Sequence, residues 1–165
     1  MLGKLFGKKE KKQTEAVFSP LTGKIIKMED VPDPVFSQLM MGDGIAVEPA
    51  EGEVVAPVNG EIVQLFHTKH AVGLRSEAGL EILIHIGLET VTMNGEGFES
   101  HVQPGEKVKA GQRLITLDLE LVKQKAKSTI TPIVITNGEL VAEMNKTKEI
   151  NAVKGETILL NIQVK

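Results

Sequence analysis

Short apolar runs recur along the chain from Ala16 onward, punctuated by glycine and proline. They fall at residues 23–26, 44–47, 53–56, 61–66, 71–74, 81–86, 113–117, 130–136 and 157–162. Runs of this length with turn chemistry between them predict strands, and their regular spacing predicts an all-β body. The expected architecture is a compact antiparallel β-sandwich or barrel. Two short helices interrupt it. One follows the Pro32-Asp33-Pro34 break over about Val35 to Leu39, and the other starts at Asp118, a good N-cap, and runs toward Lys125.

Residues 1–15 read as a lysine-rich tail, and residues 16–165 as one domain. Leu2, Leu5 and Phe6 stand at roughly helical spacing among lysines, so residues 1–12 could rest weakly on an anionic membrane surface. A segment this short gains little from burial and is costly to nucleate, which favours a solvated tail. Turn-centred stretches also repeat within the body. Ser19-Pro20-Leu21-Thr22-Gly23-Lys24-Ile25 is like Ala56-Pro57-Val58-Asn59-Gly60-Glu61-Ile62, and residues 102–108 are like residues 152–158. Similar units used twice suggest a duplicated body.

Composition narrows the function. With 165 residues and 41% hydrophobic content the chain can bury a sizeable core. It contains no cysteine, which removes disulfides, thiolate metal sites and a cysteine nucleophile from its own chemistry. Tryptophan and tyrosine are absent too, leaving little to stack on nucleic-acid bases. The net charge is −3, yet the first twelve residues carry five lysines against one glutamate, which leaves the remainder at −7. An acidic body argues against nucleic acid and for a partner with a basic face. No stretch reaches the roughly 18 apolar residues of a membrane span, and the start lacks a signal-peptide core. A cytoplasmic monomer is expected.

Two of the four histidines come together by strand geometry. The apolar runs at 71–74 and 80–86 flank Arg75-Ser76-Glu77-Ala78-Gly79, which invites a hairpin. A two-residue loop that pairs Ser76 with Gly79, or a four-residue loop from Ser76 to Gly79, sets His70 directly opposite His85, Cβ atoms roughly 4.5–5.5 Å apart. A three-residue loop shifts the register by one and turns them to opposite faces. On the first register Val72 and Leu83 are their same-face neighbours, giving an apolar docking patch. A neutral imidazole is a nucleophile, and a second one beside it can hydrogen-bond an arriving phosphoryl group. A lone strand histidine is ordinarily a hydrogen-bonded structural residue, and that is the expectation for His67 and His101.

The motifs around this pair carry a resemblance. Gly42-Asp43-Gly44-Ile45-Ala46, Val55-Ala56-Pro57-Val58-Asn59-Gly60, Thr68-Lys69-His70-Ala71, residues 84–91 and Asn94-Gly95-Glu96-Gly97-Phe98 stand in one order over residues 16–165. Together they resemble the IIA domain of the glucose family of the bacterial phosphoenolpyruvate-dependent sugar phosphotransferase system. The resemblance implies a duplicated β-sandwich that carries phosphate. It implies that His85 accepts a phosphoryl group on Nε2 from the phosphocarrier HPr and that His70 supports it. Thr68 would stand near the pair, and the Gly87 carbonyl would take the His85 Nδ1–H. The phosphate would pass to a cysteine on a IIB domain, with regulatory target proteins as further partners. An apolar rim maps onto Val35, Phe36, Met40, Met41, Ile45, Val72 and Leu83, with Asp33 and Glu89 as acidic positions. No cofactor is implied beyond covalent phosphate, and zinc only as an ion that His70 and His85 share with a partner.

Two other chemistries compete. A zinc hydrolase would use His67, His70 and His85 as ligands, but strand alternation turns His67 away and no suitable aspartate stands near the pair. A biotin- or lipoyl-carrier module would need a lysine at a hairpin tip between hydrophobic residues, and none is found. Phosphorylation-dependent regulatory binding is compatible with the carrier role.

Overall fold

The computed structural model describes residues 13–165, so the solvated tail favoured for residues 1–12, and its alternative of a membrane contact, lie outside the described residues. Fourteen strands and two α-helices are present among the described residues. In chain order they are β1 Thr14–Phe18, β2 Gly23–Ile26, α1 Pro34–Ser37, β3 Asp43–Pro49, β4 Glu53–Val55, β5 Gly60–Leu65 and β6 Ala71–Ser76. There follow β7 Glu81–His85, β8 Phe98–Ser100, β9 Lys107–Val108, β10 Arg113–Leu117 and α2 Leu119–Lys125. The chain closes with β11 Thr131–Ile135, β12 Val141–Lys146, β13 Asn151–Ala152 and β14 Ile158–Val164.

All pairings between strands are antiparallel. An eight-stranded sheet runs β13-β2-β3-β11-β7-β6-β5-β9, with two three-stranded sheets, β1-β14-β12 and β4-β10-β8. The sheets stay open, which makes this a sandwich and not a barrel. Both helices form where expected. Asp33 caps α1 by accepting from the Val35 N–H, and Asp118 caps α2 by accepting from the Leu121 N–H. Thr14 and Glu15, read from the sequence as tail, are instead strand residues paired with Gln163 and Ile162. Polar edge positions carry no apolar period, so the pattern could not place that start.

The central strands β3, β11, β7 and β6 of the large sheet are buried on both faces, which explains their unbroken apolar runs. Ile45, Val47, Val72, Leu74, Ile82, Ile84, Ile133 and Ile135 point into the main core between the sheets. Ala46, Ala71, Leu83 and Val134 alternate to the outer face, where Met28, Val31, Phe36 and Leu88 cover them in a second, smaller core. Each fully buried Leu or Ile side chain here contributes roughly 1.5–3 kcal/mol. The second core anchors α1 and positions the site.

The repeat has a structural counterpart. The Phe18 N–H donates to the Pro57 carbonyl and the Val55 N–H to the Pro20 carbonyl, both at 2.9 Å, so the two Pro-containing turns bond each other reciprocally. The second pairing of repeats differs from expectation. Gly155 donates to the Ser19 carbonyl as Gly111, not Gly105, donates to the Ala56 carbonyl, each at 2.8 Å.

Gly44 is needed for close approach of β3 to β11. A Cβ there would stand 1.9 Å from the Ile133 carbonyl oxygen, so the strand pair must separate to admit one. Gly44→Ala is expected to cost at least about 2 kcal/mol, read as a lower urea midpoint, because overpacking against backbone has no side chain to yield. An unchanged midpoint would show that β3 shifts freely.

Candidate functional site

The hairpin β6–β7 does not have the expected register. Ala71 opposes His85, Val72 opposes Ile84 and Arg75 opposes Glu81, which leaves Glu77, Ala78 and Gly79 as a three-residue loop. Ser76 secures that loop: its hydroxyl accepts from the Leu80 N–H, and its carbonyl from the Gly79 N–H. On this register strand alternation alone would place His70 on the core face with Val72 and Ile84.

The rings nevertheless meet. His70 lies just outside β6, and Lys69 before it adopts φ of 59°. That left-handed residue takes the chain out of the pleat, so the period-2 rule stops at Ala71. The His70 and His85 ring centroids are 5.0 Å apart at an interplanar angle of 79°. Phe36 of α1 packs on His85 at 5.1 Å, and Phe66 packs edge-on against His70 at 5.4 Å. Leu83 and Ala71 of the outer face lie beneath them in the same apolar cluster.

Hydrogen bonds assign the ring nitrogens. His85 Nδ1 is 2.8 Å from the Gly87 carbonyl, which can only accept, so Nδ1 carries the proton and Nε2 keeps its lone pair. Gly87 has φ of +75°, and a Cβ there would stand 2.6 Å from Thr90 Cγ2, so the carbonyl's direction depends on glycine. Thr68 Oγ1 bonds His70 Nδ1 at 2.5 Å, which leaves His70 Nε2 as its unengaged ring nitrogen. These are the contacts expected of Gly87 and Thr68.

Both rings are held toward neutrality. Burial pushes His70 down to about 4, with the neighbouring His85 adding to the effect. Burial also lowers His85, opposed by the Gly87 carbonyl and by the Asp33 carboxylate. The unfolded chain therefore binds more protons than the folded one between about pH 4 and 6.5, and stability is lost as pH falls through that window. The urea midpoint is expected to drop between pH 7 and pH 4 by clearly more in the native chain than in His70→Gln. Equal drops would show that the ring is not desolvated.

The remaining expected positions divide. Val35 is 39% exposed, Met40 69% and Met41 38%, forming an apolar rim around α1 with Leu39. Glu89 is exposed at the site's edge, and the half-buried Asp33 lies close enough to act on His85. Phe36 and Leu83 are buried beneath this rim. Val72 and Ile45 are not rim residues: both point into the main core, a consequence of the one-residue register difference for Val72 and of strand alternation for Ile45. Phe66 was missed, although an aromatic just before His67 and His70 was the available signal. His67 is exposed, and His101 Nε2 bonds Thr116 Oγ1 at 2.7 Å. Among the described residues no three His, Cys, Asp or Glu converge on one metal-sized centre, so a zinc ion could draw only two ligands from this pair.

Backbone strain gathers at the same place. Leu39, Lys69, Glu89 and Asn94 are the non-glycine residues with positive φ among the described residues. Leu39 ends α1 by donating to Phe36 while Met40 donates to Val35, a Schellman arrangement built on leucine. Lys69 and Glu89 adjoin His70 and Leu88, and Asn94 precedes Gly95, which lies against Thr68. Such conformations persist where surrounding packing holds them, and they concentrate at functional sites.

Residues 15–141 match the model of the family described as phosphoenolpyruvate-dependent sugar phosphotransferase system, EIIA 1. A protein of Bacillus anthracis named PTS system glucose-specific EIIA component is 56% identical over 165 residues, covering all of both chains. A Staphylococcus aureus protein of the same name is 48% identical over 98% of each. The solved glucose permease IIA from Mycoplasma capricolum superposes with a TM-score of 0.81 at 38% identity, covering 91% of this chain and 96% of that one. The chain belongs to the EIIA 1 family of the sugar phosphotransferase system, and it is a phosphocarrier in sugar uptake.

Proposed function

We propose that His85 accepts the phosphoryl group on Nε2 from phosphorylated HPr and passes it to a cysteine of a IIB domain. The observation that carries this is the His85 Nδ1–Gly87 carbonyl bond at 2.8 Å beside a second neutral imidazole. In the accepting step the donor's P–N bond breaks as the His85 Nε2–P bond forms, and Nδ1 keeps its proton on the Gly87 carbonyl. Thr68 Oγ1 is bonded to His70 Nδ1; with the hydroxyl as donor the ring hydrogen falls on Nε2, where it can bond a phosphoryl oxygen. The phosphate is carried covalently and needs no resident cofactor.

Docking falls to the apolar rim of Val35, Met40 and Met41 over Phe36 and Leu83, with Asp33 and Glu89 meeting a basic partner. The relatives' names favour glucose as the sugar served. A cytoplasmic location suits this role, and no helix among the described residues is long and apolar enough to cross a membrane. Regulatory targets would compete for the same face.

The test is incubation with phosphoenolpyruvate, Enzyme I and HPr, followed by intact mass. One acid-labile phosphoryl adduct, mapping to the peptide that holds His85, is expected. Absence of any adduct with active partners would overturn the assignment.

A further inference from the structure

We propose that Met40 and Met41 are a peroxide-sensitive modification site whose oxidation weakens partner docking. The inference rests on His85 being the phosphoryl acceptor and the α1 rim being its docking surface. The chain has six methionines and no cysteine, so a peroxide finds no thiolate to attack first. Thioether exposure then decides. Met28 and Met93 are buried at 2% and 6%, and Met144 is half-buried on β12. Met40 and Met41 are the exposed methionines among the described residues.

Both sit where a change of polarity reaches the histidines. Met40 donates its N–H to the Val35 carbonyl, one residue before the Phe36 ring that packs on His85. Met41 lines a cavity of about 270 Å³ with Phe66 and Leu83, and Phe66 packs on His70. Unbranched thioethers adapt to different partner surfaces, which suits a face that meets a donor and an acceptor in turn.

The step balances with peroxide as the oxidant. The thioether sulfur attacks one peroxide oxygen, the O–O bond breaks, and the other oxygen leaves as water. Sulfur is oxidised by two electrons to the sulfoxide. The product is polar and must be desolvated when a partner covers it. Sulfoxide reductases reverse the change.

The full-length chain is treated with hydrogen peroxide, freed of oxidant and mapped by peptide mass. It is then assayed for phosphoryl uptake at varied phospho-HPr. Oxygen is expected first on Met40 and Met41, with KM for phospho-HPr raised about five-fold or more and restored by methionine sulfoxide reductases. In Met40→Leu/Met41→Leu, treated and untreated samples are expected to have the same KM as each other. Oxidation appearing first at Met28, Met93 or Met144 would overturn the proposal. So would Met40 and Met41 sulfoxides with unchanged KM, or a leucine variant as sensitive as the native chain. An untreated sample that gains no phosphoryl group would overturn the underlying acceptor assignment as well.

Discussion

His85→Ala is expected to gain no phosphoryl group from phospho-HPr, a loss below detection and not a slowing. No other ring offers the same combination. His70 Nδ1 is engaged by Thr68, and its remaining nitrogen carries the hydrogen in the assignment above. His101 is tied to Thr116, and His67 is exposed. The fold should survive. Alanine removes a half-buried ring from the outer cluster and leaves Ile82, Ile84, Ile133 and Ile135 of the main core in place. An unfolding free energy in urea lowered by no more than about 3 kcal/mol separates loss of chemistry from loss of structure. Residual labelling of His85→Ala at anything near the native rate would place the acceptor elsewhere.

His70→Gln is expected to take phosphate from HPr but to pass it onward about 10²- to 10³-fold more slowly, the size of loss that follows when stabilisation of transferring charge is weakened. Glutamine retains an N–H that can reach a phosphoryl oxygen, so uptake continues. It cannot share charge as an imidazole does, and it loses the Thr68 bond that orients the ring. Single-turnover transfer to the IIB cysteine is the measurement, with the phosphorylated variant prepared beforehand. Thr68→Val should show the same pattern more weakly, since it disturbs orientation without removing the ring. An onward rate unchanged in His70→Gln would remove His70 from the chemistry and leave it a packing residue.

The histidine pair was legible from residue order, but by a route that the structure only half supports. The hairpin between residues 71 and 86 forms, while its loop holds three residues where two or four were expected. Leu80 extends the apolar run in the sequence, yet its N–H is taken by the Ser76 hydroxyl, and that bond sets the turn. Side-chain capture of this kind depends on a rotamer and leaves no periodic trace. The rings meet through Lys69, whose left-handed backbone is also invisible in a lysine. Val72 was misplaced by the same slip, because one residue of register exchanges the two faces of a strand. The family motif compensated. Gly87 and Thr68 were both located correctly, since each touches a histidine only two residues away.

Local chemistry was therefore readable. Strand runs and the helix cap at Asp118 follow from residues within a few positions of each other. The order of eight strands, the second core on the outer face, and the sorting of rim from core did not. Ile45 and Met41 are both apolar and four positions apart, yet one is sealed against the opposing sheet and the other faces solvent beside Phe66. Sequence patterning fixes how a segment alternates, but which face meets water depends on what distant segments cover it, and that is decided only when the chain packs.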